Sequence, residues 1–440
     1  MIQKSSKKKL LVSFRELEQK KFFDTSKELK DPNTLPRKNI WILIRDNWKQ
    51  VLMISILTDI LFAFTVNMIS EYHINSALKY GTRPKLKMLK DQFVSRPQIS
   101  KVLKKILQPN EDQSYYHIIC GEHGTGKTTL IRMEATNIGK GVIYVDIPSD
   151  FKNLGKAFGK AINLLFFEDI SITALLIRKF LSEMDMINEI AIFLYQWRRV
   201  MKIFRHASKV YQKRYHKLPV IIYDNISQIV KENSKVLDIL QDDAKDNADD
   251  REYIAVFISS EESVLQRMES RSAWSRADQP VIEISDLSKK ESKDYITKRC
   301  TKQKKKEVIK EIKDEEINEL YEIVGGRIVD LKAVIDKFLA GYSLKVIKQA
   351  KIAEVEKKFN SAQLLQKQLH HEVGKKVIKA LIVSEELGFT TFMEYFDNYE
   401  DAGKVLEANI FTYHPAKNTI SFQSRSVEFY IHEKADIFLK

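Results

Sequence analysis

Apolar residues along this chain follow two rhythms. Five short stretches, residues 115–120, 141–147, 220–224, 253–260 and 280–284, are almost continuously apolar and rich in β-branched and aromatic side chains. Strands buried on both faces read this way. Between them apolar positions recur at helical spacing, as in Trp197, Val200, Met201, Phe204, Ala207 and Tyr211, within a helical region from about 152 to 216. Strands alternating with helices predict a parallel α/β sheet that binds ligands beyond the carboxyl ends of its strands.

Two regions depart from this alternation. Residues 51–69, VLMISILTDILFAFTVNMI, form a long apolar run preceded by Trp41, Arg45, Trp48 and Lys49, residue types that anchor a helix at a membrane interface. Asp59 in its middle would cost roughly 2.5–3.5 kcal/mol in a bilayer, and Ser55, Thr58, Thr65 and Asn67 dilute the run further. A membrane-crossing helix and an amphipathic helix docked on the protein body or on a partner are both compatible with it. From about residue 351 a charged helix leads into further helical segments, and the turn Pro415-Ala-Lys-Asn418 between two short apolar-polar runs predicts a hairpin. Helices closed by a hairpin make a winged-helix arrangement. Its candidate recognition helix, about 399–409, sets Glu400, Asp401 and Glu407 against Lys404. Those acids would repel a phosphate backbone, so the expected partner of this module is a protein rather than nucleic acid.

Candidate chemistry concentrates after the first strand. Gly121-Glu-His-Gly-Thr-Gly-Lys-Thr-Thr129 satisfies G-x-x-x-x-G-K-[ST] at every fixed position, and it sits between a strand and a helix as a phosphate-binding loop must. Gly121, Gly124 and Gly126 let the backbone through Glu122, His123, Thr125 and Thr129 turn its N–H groups toward phosphates. Lys127 is placed to reach the β- and γ-phosphates of a nucleotide, and the Thr128 hydroxyl to ligate Mg²⁺. The third strand ends in Asp224, a carboxylate where a Mg-ATP site requires one. Asn225 then stands where a second carboxylate is usual. An amide cannot take a proton from water at neutral pH but can orient it, so hydrolysis is expected to be slow and binding unharmed. Asp146, at the end of the second strand, is the alternative base, with a strand-end cap as its plain reading.

With these motifs in place the chain resembles AAA+/STAND-type P-loop ATPases, in particular the archaeal-ATPase-like group whose members carry a C-terminal winged helix. It is similar to uncharacterised fungal P-loop ATPases and, more distantly, to the mitochondrial escape family. The similarity runs from about Arg83 to Lys345. It implies an α/β fold: a P-loop NTPase core with a five-stranded parallel sheet, a helical lid, and a C-terminal winged-helix-like domain, with ATP and Mg²⁺ as cofactors. Asp224 would hold Mg²⁺ through water. Ser259 or Ser260, at the end of the fourth strand, would contact the γ-phosphate or the attacking water. Phe93-Val-Ser-Arg96 matches the element that lines the adenine pocket, and Arg327, after Gly325-Gly326, would approach the γ-phosphate from the lid. Arg271 and Arg276 lie where such proteins offer an arginine finger to a neighbouring subunit, which would make a homo-oligomer; surface arginines are the alternative.

The expected boundaries are a basic polar segment at 1–40, the hydrophobic helix at 41–80, the ATPase core at 81–285, the lid at 286–350 and the winged-helix-like domain at 351–440. The 73 basic against 59 acidic residues leave a net charge of +14, which suits a polyanionic neighbour or a well-solvated basic surface. Cys120 and Cys300 provide neither a disulfide framework nor zinc-ligand spacing, and no secretory signal pattern opens the chain, so an intracellular setting is expected, with membrane association through 51–69 open and the organelle unspecified. These observations together describe a slow ATPase acting as a nucleotide-dependent switch or scaffold. The other readings are an ATP-dependent nucleic-acid-handling protein and a membrane-anchored nucleotide-binding interaction protein without turnover.

Overall fold

The computed structural model describes residues 48–86, 93–162, 189–303 and 312–440. The polar segment 1–40, residues 163–188 of the expected helical region and residues 304–311 lie outside the described residues. The chain falls into two compact units, residues 1–65 and 66–440, and the architecture below is that of the second.

Helix α1 (Trp48–Tyr80) leads to α2 (Pro97–Ile106), β1 (His117–Cys120), α3 (Lys127–Ile138), β2 (Val142–Asp146) and α4 (Leu154–Ala161). Next come α5 (Glu189–Tyr215), β3 (Val220–Asp224), α6 (Ser227–Asp249), β4 (Ile254–Ile258), α7 (Glu262–Glu269) and β5 (Ile282–Glu283). The five strands form a parallel sheet in the order β2-β3-β4-β1-β5, as the apolar runs lead one to expect. Their side chains alternate between two cores because successive residues of a strand point to opposite faces. Ile118, Ile221, Tyr223, Ala255 and Phe257 join Phe158, Trp197, Phe204 and Tyr211 on one face. Ile119, Val220, Ile222, Val256 and Ile258 join Leu103, Leu130 and Ile131 on the other. The end of α1 belongs to the first core through Ile74, Ala77 and Leu78.

The run 51–69 lies inside α1, yet no helix among the described residues is long and apolar enough to cross a membrane.

Beyond the sheet, α8 (Lys289–Gln303), α9 (Asp314–Val324) and α10 (Ile328–Leu339) enclose a third core around Tyr295, Leu320, Ile323, Leu331 and Ile335. Helix α11 (Leu344–Ser361) leads into a C-terminal module of α12 (His371–Ser384), β6 (Leu387–Gly388), α13 (Phe389–Glu394), α14 (Tyr399–Glu407), β7 (Phe411–His414), β8 (Thr419–Phe422), α15 (Arg425–Glu433) and α16 (Ala435–Phe438). The expected hairpin forms, with Phe411 opposite Phe422 and His414 opposite Thr419, and β6 completes a three-stranded sheet. Phe359, Phe392, Phe411, Tyr430 and Phe438 fill the core of this module.

Candidate functional site

The loop after β1 must reverse sharply before α3 can start at Lys127. Gly121, Gly124 and Gly126 make the reversal with φ of 138°, 86° and 89°. A Cβ on Gly121 would stand 2.4 Å from the Ile284 carbonyl oxygen, so glycine is required there for space as well as for conformation. Lys127 is buried and donates to the carbonyl oxygens of Gly121 at 2.6 Å and Glu122 at 2.7 Å. Burial pushes its ammonium pKa down to about 8, against the pull of the Glu122 carboxylate. The buried Thr125 hydroxyl donates to the Glu122 carbonyl, His123 is exposed, and Thr129 faces an adjoining apolar cavity.

Across the carboxyl edge of the sheet stands a connected polar network. The Thr128 hydroxyl donates to Asp224 Oδ1 at 3.1 Å, and the Asn225 backbone N–H donates to the same oxygen at 3.0 Å. Tyr144 donates its hydroxyl to Asp224 Oδ2, and Arg132 Nε donates to the Tyr144 oxygen at 2.6 Å. Arg132 Nη2 lies 2.7 Å from Asp146 Oδ2 and 3.9 Å from Asp224 Oδ2. The Asn225 amide donates from Nδ2 to Asp146 Oδ1 at 2.8 Å. Asp224 is fully buried, and burial raises its pKa despite the opposing effects of Tyr144, Arg132 and Thr128. Asp146 and Asp224 come together because they are direct partners in the β2–β3 register. Asn225 tolerates its φ of 65° because asparagine is among the few residues that enter the left-handed region readily.

An apolar cavity beside Gly126 and Thr129 is lined by Phe93, Val94, Leu130, Tyr295 and Ile328. Arg96 ties this segment down by donating to the carbonyl oxygens of Ser285 at 2.9 Å and Asp286 at 3.2 Å. Arg327, at the start of α10, is 5% exposed and joins three elements. Its Nε donates to Asp286 Oδ1 at 2.6 Å, Nη1 to the His123 carbonyl at 3.1 Å, and Nη2 to the Gln423 carbonyl at 2.6 Å. The C-terminal module also reaches the loop itself. Glu122 accepts from the Thr412 hydroxyl and, at 3.2 Å, from Gln423 Nε2. His414 Nδ1 sits 2.6 Å from Glu283 at the end of β5; burial alone would lower its pKa, but the Glu283 hydrogen bond and charge outweigh that and raise it.

The remaining sequence candidates are placed less directly. Ser259 is buried and closes its own turn, donating to the Glu261 carbonyl and accepting from the Glu261 N–H. Ser260 faces a cavity shared with Gly121, Glu122 and Glu262, where burial, then the Glu122 charge, raises the Glu262 carboxyl pKa to about 7. Arg271 donates to Asp242 at 2.7 Å and lies 3.2 Å from Asp238, and Arg276 pairs with Asp249. Both are thus engaged by carboxylates of α6 in their own chain.

Sequence reasoning passed over Arg132, Tyr144, Glu262, Thr412 and Gln423. The first two carried a signal: Arg132 follows Thr128 by one helical turn, and Tyr144 precedes Asp146 on the same face of β2. The last two sit 290 or more residues from Glu122 in the chain, beyond the reach of any local pattern.

Comparison with known proteins agrees with this geometry. A model of an ATPase domain found predominantly in Archaea matches residues 93–334, more than half of the chain. No curated protein of similar sequence was found. Among solved structures, the chain is similar to a Walker-type ATPase of Pyrococcus abyssi, at 14% identity and TM-score 0.49, over 80% of this chain and 99% of that one. It is also similar to the ORC2 protein of Aeropyrum pernix in ADPNP and ADP complexes, at 12% identity and TM-score 0.39 over 81% and 99%. A third likeness is to Cdc6p of Pyrobaculum aerophilum, at 13% identity and TM-score 0.37 over 82% and 98%. The chain belongs to this predominantly archaeal ATPase family.

Proposed function

We propose that the chain binds Mg-ATP between the carboxyl edge of its sheet and the α8–α10 bundle, turns it over slowly, and uses the nucleotide to control its C-terminal module. One observation carries this reading. The loop residue Glu122 is bonded to Thr412 and Gln423, and Arg327 is bonded to the Gln423 carbonyl. Groups placed to respond to phosphate are therefore the groups that hold the module.

The residues present fit the nucleotide. Lys127 would exchange two carbonyl partners for phosphate oxygens, a stronger partner for an ammonium. The apolar cavity between Phe93 and Tyr295 suits a purine base. Thr128 and Asp224 would hold Mg²⁺: their oxygens already meet at 3.1 Å, and a cation would relieve the charge of a buried carboxylate. Bound there, Mg²⁺ would neutralise charge on the phosphates.

Asn225 gives its N–H₂ group to Asp146 and keeps its amide oxygen to accept from a water. Asp146 spends both oxygens on Arg132 and Asn225, so in this reading it positions Asn225 rather than acting as the base. Slow turnover follows, because orientation persists while Asp146 is not free to abstract the proton. When Arg327 turns from Gln423 to a γ-phosphate, the module loses a tether and becomes available for protein contact. Arg271 or Arg276 could serve a neighbouring subunit only by leaving the acids of α6.

Hydrogen exchange across residues 411–423, measured with and without ATP, tests the switch. Faster exchange in the wild type with ATP, and none in Lys127→Ala, is expected. Unchanged exchange in protein that calorimetry shows to be saturated with ATP overturns the switch. Absence of binding heat overturns the whole reading.

A further inference from the structure

A second site lies at the other end of the sheet. Strand β2 carries Asp146 at its carboxyl end; its amino end, entered through Lys140 and Gly141, borders an open cavity of about 300 Å³. The cavity runs between the end of α1 and the end of α5, lined by Tyr72, Lys79, Tyr80, Tyr211, Arg214 and Tyr215. Tyr211 forms its floor and is held there by close packing, since a Cβ on Gly141 would stand 2.3 Å from the Tyr211 hydroxyl. Tyr72 and Tyr80 are 73% and 56% exposed. Exposed apolar surface grouped at a cavity is one mark of a ligand-binding groove.

The charges around this cavity are of one sign. Lys140 Nζ lies 3.8 Å from the centre of the Tyr215 ring, with the Arg214 guanidinium 5.6 Å from the same centre. Lys79 Nζ lies 5.0 Å from the Tyr80 ring centre, and Arg83 donates to the Tyr80 carbonyl at 3.0 Å. Among the described residues, no acidic side chain lines the cavity and none of these four cations is ion-paired. Several other surface cations are paired. Arg205, Lys209, Arg267, Arg271, Arg276, Arg299 and Lys417 all stand against carboxylates. Unpaired cations interleaved with exposed tyrosines suit a ligand that brings phosphates and flat aromatic rings together.

We propose that this tyrosine-lined cavity between α1 and α5 binds single-stranded nucleic acid, with bases stacking on Tyr72 and Tyr80 and the backbone phosphates on Lys79, Arg83, Lys140 and Arg214. The site is separate from the phosphate-binding loop and from the acidic helix α14, and it gives the net charge of +14 a defined place to act. Aromatic platforms with surrounding cations bind single strands with little regard to sequence.

The test is fluorescence anisotropy of the full chain with a labelled single-stranded 20-mer of thymidine, at several salt concentrations. Four phosphate contacts give a slope of log affinity against log salt near about −3 for a single strand. Tyr80→Ala and Tyr72→Ala should each weaken binding by about 5- to 150-fold, the range for one lost stacked base. Both side chains are exposed, and retained ATP binding confirms that the variants fold. Lys79→Ala and Lys140→Ala should each reduce the slope by about 0.7. The proposal is overturned if the strand fails to bind at low salt, or if the tyrosine variants bind it as the wild type does. It is equally overturned if inorganic polyphosphate or phosphatidylserine vesicles bind at this cavity as tightly as the strand and with the same indifference to the tyrosines.

Discussion

Removing Arg132 isolates the energetics of the network at the carboxyl edge. In Arg132→Ala the Tyr144 oxygen loses its donor and Asp224 loses the guanidinium 3.9 Å away. Breaking a buried ion pair from one side costs about 3–5 kcal/mol because the other charge stays behind. The Asp146 side chain is 53% exposed, so water takes over there and only the buried Asp224 counts in full. A loss of about 3 kcal/mol, the low end of that range, is expected. The pH dependence gives the sharper check. Burial already raises the Asp224 pKa above its unfolded value, and Arg132 opposes that rise. A carboxyl raised by folding binds more protons folded than unfolded, so stability falls as pH rises through the window between its two pKa values. Without Arg132 the folded value climbs and the window extends upward. The deficit of Arg132→Ala should therefore shrink as pH is lowered from about 7.5 toward about 5. Urea denaturation in EDTA, followed by fluorescence and circular dichroism for wild type and variant, measures it. A deficit under about 1 kcal/mol, or one constant across that pH range, would refute a charge-compensating role for Arg132.

Three further outcomes are expected. ATP affinity should fall as pH rises through about 8, where free Lys127 loses its proton, by up to about tenfold per pH unit; in Lys127→Arg the same calorimetric titration should stay flat. Asp146→Asn should slow single-turnover hydrolysis by about tenfold to a hundredfold while leaving ATP affinity unchanged, because Asn225 loses its orientation but the phosphate contacts do not. Thr412→Val with Gln423→Ala removes two hydrogen bonds to the Glu122 carboxylate, each worth about 1.5–3 kcal/mol; protease cleavage within 411–423 should speed up without ATP and match wild type with it.

The sheet and the loop were legible in the sequence because both are local. Five apolar runs announced five strands, and the spacing from Gly121 to Thr128 is meaningful only between a strand and a helix. Asp224 was legible as a strand-end carboxylate, whereas its company was not. Tyr144 reaches Asp224 only because β2 and β3 pair in register, and neither strand's own residues state which neighbour it takes. Ser259 looked like a phosphate contact by position, yet its hydroxyl closes the turn to Glu261, since a serine two residues before a free backbone N–H finds that partner first. Arg271 and Arg276, expected either as fingers or as surface arginines, meet Asp238, Asp242 and Asp249, which are spaced along one helix and have no local signal linking them to those arginines.

The contacts from Thr412 and Gln423 to Glu122 also order events in time. The loop is synthesised about 290 to 300 residues before the side chains that clasp it. At about 5–20 residues per second, this interval lasts roughly 15–60 s. During it a nascent core can fold and meet cellular ATP with no module attached. On the proposed reading, the first nucleotide would be captured by an unrestrained loop, and the clasp made afterwards against whatever that loop already holds.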